Sequence, residues 1–389
     1  MKEAPRVALV GVSGYAQIYF ARLAAYAREG VVNLICATVI NANEEAEACR
    51  CLQHLGCELF SDYETMLAQY RGRIDLVCVP TGIAWHMRMT IAALRNGANV
   101  LVEKPLAGSG PDSQAICAAS VTANRFVAVG FQHMYDDAVL TVRLAIASGM
   151  IGQLRTIRGA VCWPRLASYY GRNGWAGRRE AEGGVAWDSP LNNGMAHHLL
   201  LALHWALGAD GARIVETKVE LYRANAIETF DTAALQATTN TGVRLHFFAS
   251  HACADLFEPF LILEGERGQI VWDQKKGRCT LLQNGIPQFN IVLRDSAAAR
   301  DLMFSRVLRR LQDPAESICS AEMAALHADF VHRIHNDGRI STIASQHIQR
   351  LPTSGSGDYL VAINGIEVAR SAIIERGLLP SEASIPWTL

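Results

Sequence analysis

Over the first 130 residues, short aliphatic and β-branched runs alternate with stretches of helical period. Residues 6–10, 33–40, 75–80, 99–103 and 126–130 read as strands. Residues 17–28, 63–69, 86–96 and 111–123 read as helices, the third stopped by Gly97. Such alternation specifies a parallel, doubly wound sheet. After about Tyr135 the texture changes. A helix runs to Ser148, a strand spans 154–163, and a polar loop rich in Gly and Arg fills 168–184, a length that usually marks function or disorder. A helix over about 193–207 leads into alternating segments at 218–222, 232–238, 243–250, 260–264 and 269–273, which read as an antiparallel sheet. The tail reads as helical over 321–336 and 359–376, with 353–357 as a flexible connector. The expected architecture is an α/β doubly wound parallel sheet over 1–130, then an α+β domain over 131–389 with a large open, mostly antiparallel sheet.

Composition narrows the function. The chain has 389 residues, 50% hydrophobic and 19% charged, enough for two cores at about 150 residues per domain. Lys and Arg number 36 against 37 Asp and Glu, a net charge of −1 that offers no electrostatic hold on nucleic acid or an anionic membrane. Apolar runs such as 199–207, interrupted by His204, fall well short of the roughly 20 residues a spanning helix needs. Residues 1–9 resemble the start of a signal peptide but run into Gly11 and Gly14 without a cleavage site, so a cytoplasmic location is expected. The ten cysteines are expected to be reduced core residues. Cys49, Cys51 and Cys57 lack the paired C-x₂-C spacing of a zinc site, and His327, His332 and His335 match no ligand spacing, which leaves a solvated or capping role and no metal.

The first candidate chemistry is Gly11-Val12-Ser13-Gly14-Tyr15-Ala16, placed after the first strand and opening the first helix. Gly11 suits the tight turn, small Ser13 admits a pyrophosphate to the backbone amides, and Ala16 allows close helix–strand packing. After the second strand, Val39-Ile40-Asn41-Ala42-Asn43 lacks the acid that ordinarily holds a ribose hydroxyl. Asn41 can do so instead, and the absence of a neighbouring cation favours NAD while leaving NADP open. Glu103-Lys104-Pro105 ends the 99–103 strand and sets an ammonium in the crevice where an open α/β sheet binds its ligand. From there Lys104 can hold a hydroxyl, disfavour protonation of a neighbouring imidazole and stabilise an alkoxide.

These segments, with Pro80-Thr81, His86, Glu103-Lys104-Pro105-Leu106-Ala107, Val129-Gly130-Phe131, Tyr135 and the looser Leu263-Glu264-Gly265-Glu266-Arg267-Gly268, resemble the Gfo/Idh/MocA family, named for glucose-fructose oxidoreductase, inositol dehydrogenase and MocA. The resemblance implies an N-terminal Rossmann domain, a C-terminal sheet that often forms an oligomer interface, and nicotinamide chemistry on sugars, polyols or related hydroxy compounds. It also implies that Gly11, Ser13, Gly14, Tyr15, Ala16, Asn41, Pro80, Thr81, His86, Glu103, Lys104 and Gln132 bind the cofactor. The family's Asp-x-Gly-x-His motif falls on Asn192-Asn193-Gly194-Met195-Ala196-His197-His198. With His197 in the His place, Asn193 replaces Asp and Met195 replaces Gly; with His198 there, Gly194 replaces Asp. His197 is preferred because Asn193 then lies one helical turn behind it on the same face.

Asp188 can supply the missing carboxylate, and the loop Tyr169–Arg179, similar to an Arg-Asn-x-Trp-Ala-Gly stretch in some members, offers Arg172, Asn173, Trp175 and Arg178 to a sugar or anionic substrate. Asn192 and His198 complete the expected substrate contacts. His246 and His251 lie at odd separation, so only one can face a site. The expected activity is an NAD(P)-dependent oxidoreductase in which His197 takes the hydroxyl proton, Lys104 orients the hydroxyl and Asn193 positions the substrate. A non-catalytic nucleotide sensor and a redox-neutral, NAD-dependent glycoside hydrolase are the alternatives. A homodimer or homotetramer is the expected assembly.

Overall fold

The computed structural model describes residues 3–353 and 357–388, so residues 354–356 of the expected connector lie outside the described residues. The chain divides into two compact units. The first comprises Met1–Phe131 with two returning segments, Glu182–Ala186 and Asp301–Asp329; the second comprises Gln132–Ala181, Trp187–Arg300 and Phe330–Leu389. A single cut at residue 130 leaves out both returning segments.

In the first unit, strands β1 (Arg6–Val10), β2 (Asn33–Thr38), β3 (Glu58–Phe60), β4 (Leu76–Val79), β5 (Asn99–Val102) and β6 (Val127–Val129) form one sheet in the order β3-β2-β1-β4-β5-β6. Every pairing in it is parallel. Helices α1 (Ala16–Arg28), α2 (Ala46–His54), α3 (Tyr63–Gln69), α4 (His86–Arg95) and α5 (Gly110–Ala123) make the crossovers. Val7, Ala8 and Leu9, all of β4, and Val100 to Val102 are buried, as expected of strands covered on both faces. Asp62 caps α3 and Ser109 caps α5 through their side-chain oxygens. The returning segment 301–329 packs back onto this sheet. Phe304 lies edge-on to Tyr19 at 4.9 Å, Gln114 donates to Asp329 at 2.7 Å, and the Cys319 carbonyl accepts from Val129 at 2.9 Å beside the edge strand β6.

The second unit is built on a nine-stranded sheet. Its elements are α6 (Asp137–Ala147), β7 (Leu154–Cys162), the two-residue strand β8 (Glu180–Ala181), α7 (Ala196–Ala206), β10 (Ile214–Arg223), β11 (Thr232–Thr239), β12 (Arg244–Ser250), β13 (Phe257–Gly265), β14 (Gly268–Asp273), β15 (Arg278–Gln283), β16 (Ile286–Val292) and β17 (Ile340–Thr342), the short strand β9 (Gly184–Val185) belonging to the first unit's returning segment. The order is β16-β15-β14-β13-β7-β12-β11-β10-β17, antiparallel except where β7 meets β12 and β10 meets β17. Alternate residues divide its faces. Ile157, Leu245, Phe247, Leu261 and Leu263 face one core with α6 and α7, while Ala160, Cys162, Ala234 and Phe248 face a second core. That second face is covered by Ile343 and by Ile363, Ile366, Ile373, Leu379 and Trp387 of the C-terminal segment.

Three parts of the chain depart from the sequence reading. Residues 359–376 are not one helix: β19 (Tyr359–Ile363) pairs antiparallel with β18 (Ile348–Pro352), and only α10 (Ile366–Ser371) and a π-helical turn (Ala372–Arg376) are helical. Tyr-Leu-Val-Ala-Ile is a strand composition, and the turn at Asn364-Gly365 ends it. Helices α2 and α8 (Ser296–Arg310) carry no long apolar run. Their buried residues, such as Cys49 and Leu52, or Met303, Phe304 and Val307, are few and set among charges. Strands β15 and β16 form the sheet's outer edge, where exposed Ile286 and Val292 interrupt the alternation.

Leu261 lies at the centre of the large sheet with no exposed surface. Leu261→Ala is expected to cost about 2–5 kcal/mol, read as a lower urea midpoint for the second unit's tryptophan signal.

Candidate active site

Cofactor-binding chemistry is concentrated in the first unit. Gly11 turns the chain out of β1 with φ +86, and its N–H donates to the Thr38 carbonyl at 2.8 Å. Only glycine takes that conformation without strain. The Ala16 Cβ stands 3.9 Å from where a Gly11 Cβ would be, the close helix–strand packing that small residues permit. Helix α1 begins with neither a side-chain cap nor an acid in its first turn, which leaves the positive end of its dipole to an anion. Beyond β2, the Asn41 amide donates to Ser13 Oγ at 3.0 Å and lies 3.2 Å from a Glu44 carboxylate oxygen. Ile40 is 83% exposed beside it, an apolar surface open to a flat ring. The chain therefore fits a dinucleotide.

The Glu103 carboxylate is buried where β5 ends. Oε1 accepts the Tyr19 hydroxyl at 2.7 Å and Oε2 the Lys104 backbone N–H at 3.0 Å. A Cβ at Gly130 would stand 2.6 Å from Oε1, so glycine at the end of β6 is what lets the carboxylate sit there. Burial and then the Glu103 charge hold the Tyr19 pKa well above its ordinary value, so its hydroxyl remains a donor. Lys104, half-buried, follows directly. His86 is fully enclosed, with Nδ1 2.7 Å from the Pro105 carbonyl and Nε2 3.0 Å from that of Thr81. Burial pushes its pKa down to about 4, and Lys104 adds to the shift. His86 thus ties together the loops after β4 and β5 and has no surface for a ligand, unlike the contact expected from the sequence. Pro80 is buried, and Thr81 Oγ1 is enclosed without a hydrogen-bond partner, a polar atom still to be satisfied at the end of β4.

The second unit holds the remaining candidates around the start of α7. Trp187 has φ +37, and its ring stacks on His332 at 4.9 Å and His335 at 5.0 Å. These stacks brace a strained residue immediately before Asp188. The Asp188 carboxylate accepts the Gly177 N–H at 2.7 Å and the Asn193 amide at 2.8 Å, joining the Arg-rich loop to the turn before α7. Asn192, 1% exposed, donates to the Trp187 carbonyl and serves the turn itself.

His197 and His198 open α7 within a cluster of imidazoles. The His133 ring lies 5.3 Å from His197 and 5.6 Å from His198, and Trp163 meets His198 edge-on at 5.8 Å. Gln132, just before His133, is buried. Burial pushes His133 down to about 4 and holds His198 well below its ordinary value, with His133 contributing to the latter. Neither nitrogen of His198 has a hydrogen-bond partner. In the loop, Arg172 stands 3.5 Å over the Tyr169 ring and 5.0 Å from Trp175, while the Asn173 side chain accepts from the N–H groups of Trp175 and Ala176. Arg172 and Arg178 are exposed.

Sequence reasoning passed over two groups at this end of the unit. His251 Nδ1 lies 2.8 Å from the Trp163 carbonyl, and its ring crowds Gly194, where a Cβ would stand 2.8 Å from Cε1. Arg165 lies over Tyr169 at 4.9 Å. The odd spacing of His246 and His251 does separate them: His246 is on the other sheet face, against Gly377. No signal in the sequence says which one meets the turn before α7. The expectation of solvated or capping histidines at 327–335 is corrected in part. His327 is buried edge-on to Phe131 in the first unit, and His335 is buried with Nε2 3.0 Å from Ser189 Oγ in the second. Among the described residues, no group of three or more His, Cys, Asp or Glu is placed to hold a metal, and no helix is long and apolar enough to cross a membrane.

Two family models match this sequence, one described as an oxidoreductase family with an NAD-binding Rossmann fold over residues 5–131, the other as the GFO/IDH/MocA C-terminal domain over residues 139–271. The chain belongs to the Gfo/Idh/MocA oxidoreductase family. An inositol 2-dehydrogenase of Pseudomonas syringae pv. syringae (strain B728a) is 32% identical over 124 residues, 31% of this chain and 35% of that one. A dTDP-3,4-didehydro-2,6-dideoxy-alpha-D-glucose 3-reductase of Streptomyces violaceoruber is 27% identical over 162 residues, 42% of this chain and 46% of that one. The chain thus spans less than half the length of either curated relative. The fold is shared with an inositol dehydrogenase homolog from Azotobacter vinelandii complexed with NAD+, at 19% identity and a TM-score of 0.72 over 86% of this chain and 96% of that one.

The buried imidazoles set a pH dependence. His86, His133 and His204 are pushed down to about 4, and His251 and His335 to about 3, each chiefly by burial. The unfolded chain takes up protons below about pH 6.5 that these rings refuse, so stability present above that pH is lost as pH falls toward 4. Urea unfolding followed from about pH 6.5 down to about pH 4 is expected to show stability falling as the pH falls, and His251→Gln to reduce that slope.

Proposed function

We propose that this protein is an NAD(P)-dependent dehydrogenase or reductase acting on the CH–OH carbon of a sugar, polyol or related hydroxy compound. The observation that carries the reading is Lys104, held at the carboxyl end of β5 in an NAD-binding Rossmann domain by a neighbouring carboxylate that accepts its backbone N–H. The names of the curated relatives, an inositol 2-dehydrogenase and a dTDP-linked glucose 3-reductase, support the substrate class. Gly11, Ser13, Gly14, Tyr15, Ala16 and Asn41 would hold the dinucleotide, with Thr81 and Gln132 as further contacts. Bound nicotinamide supplies the hydride acceptor or donor. Glu44 beside Asn41 opposes a 2′-phosphate, which supports NAD over NADP.

The Lys104 ammonium would donate a hydrogen bond to the reacting hydroxyl and offset the negative charge that grows on its oxygen. His197 would take the hydroxyl proton in oxidation and return it in reduction. Its 7% exposure against 1% for His198 supports this choice. His133, whose pKa burial lowers, adds no charge beside it. Asn193, oriented by Asp188, would position the substrate, with Arg172, Asn173, Trp175 and Arg178 of the loop supplying aromatic and cationic contacts.

Lys104→Ala and His197→Ala are each expected to lower kcat by about 10²- to 10⁴-fold on a sugar and polyol panel read by NADH absorbance, with NAD affinity by calorimetry near that of the parent. Retained turnover in either variant sinks the assignment of that residue. Tight NAD binding by the parent with no turnover on any panel member overturns the dehydrogenase reading.

A further inference from the structure

The face of the large sheet that points away from α7 carries a second concentration of polar chemistry. Arg158 on β7 and Arg244 and His246 on β12 share this face, and the π-helical turn ending in Arg376 lies against them. Together they line a cavity of about 510 Å³. The C-terminal wall is fixed in place: Gln236 donates to the Gly377 carbonyl at 2.9 Å, and Arg158 to the Glu375 carbonyl at 2.8 Å.

The charges around this cavity are unevenly matched. Glu264 is engaged by Arg158 at 2.5 Å, and Glu382 accepts from the Gln236 amide at 2.7 Å and the Leu379 N–H at 2.9 Å. Arg244 and Arg376 make no ion pair among the described residues. One enclosed donor, Arg158 Nε, also has no hydrogen-bond partner. Buried donors without partners are uncommon in native proteins and call for an acceptor. Burial and then Arg244 lower the His246 pKa, with Arg158 adding to the shift, while a backbone hydrogen bond at Gly377 and the Glu382 charge oppose it, so the guanidinium field reaches the ring.

We propose that this cavity binds a small molecule through a phosphoryl group. Arg forks pair bidentately with phosphate oxygens, and a phosphoryl group presents three terminal acceptors where a carboxylate presents two. Arg244 and Arg376 supply two forks, and Arg158 Nε supplies a single donor. The ligand would bridge the sheet and the C-terminal turn, so binding would clamp that segment down. None of its residues is among those proposed to hold the dinucleotide.

The test is calorimetric titration of sodium pyrophosphate into protein saturated with NAD, so that the nucleotide site is filled, at fixed ionic strength near physiological. The expected result is a Kd below about 1 mM, weakened at least about tenfold in an Arg244→Ala/Arg376→Ala double variant whose NAD affinity is unchanged. Both arginines are exposed, and an unchanged urea midpoint for the second unit's tryptophan signal reports that the variant is folded. Citrate at equal ionic strength is expected to bind more weakly than pyrophosphate. The proposal is overturned if the NAD-loaded parent does not bind pyrophosphate, if the double variant binds it equally well, or if citrate binds as tightly.

Discussion

A carboxylate out of water must be hydrogen-bonded or it takes up a proton. Glu103 meets that demand with the Tyr19 hydroxyl and the Lys104 backbone N–H, and much of the first unit's site follows from the arrangement. Tyr19 must come from α1, so the helix that follows the phosphate turn is tied to the end of β5. The space the carboxylate occupies forbids a side chain at Gly130, which couples the end of β6 to the same point. Lys104 is placed by its own backbone, one bond from this anchor, rather than by its flexible side chain. The returning segment secures the other side of Tyr19 through Phe304. Positioning by buried backbone contacts suits the role proposed for the Lys104 ammonium.

The second unit solves a similar problem differently. Asp188 draws the Gly177 N–H and the Asn193 amide onto one carboxylate, so loop and helix entrance are fixed together. Position 193 is an amide, and the carboxylate that orients it stands five residues earlier in the sequence. Asn193 in this setting is a neutral donor and acceptor oriented by a charge behind it. Of the imidazoles at the start of α7, burial holds His133 and His198 below their ordinary pKa, and His133 adds to the shift of His198.

Much of this was legible in the sequence because local rules and tertiary structure agree. The parallel sheet was readable where strands are continuous aliphatic runs, and Gly11 and the Glu-Lys-Pro tripeptide sit at strand ends where ligand chemistry is expected. Reading failed where packing overrides composition. Residues 359–363 are the exception, since their own Tyr-Leu-Val-Ala-Ile composition is that of a strand and they pair with 348–352. His86 carries the residue type of a ligand contact, yet it is enclosed between the carbonyls of Pro105 and Thr81, one of which takes its single N–H. Nor does any local pattern announce that 301–329 returns to the first unit, since that depends on distant partners such as Tyr19 and Val129.

The covering of the large sheet's second face has a consequence for how the chain comes into being. Ala160, Ala234 and Phe248 are buried there by residues from Ile343 onward, which leave the ribosome a hundred residues or so after β12. Throughout that interval of synthesis the strands can pair while one of their faces stays bare and apolar. A nascent chain in this state presents the surface that chaperones recognise and that neighbouring nascent chains on one messenger can join. The order in which the sequence is written therefore sets a window of vulnerability that the finished fold no longer shows.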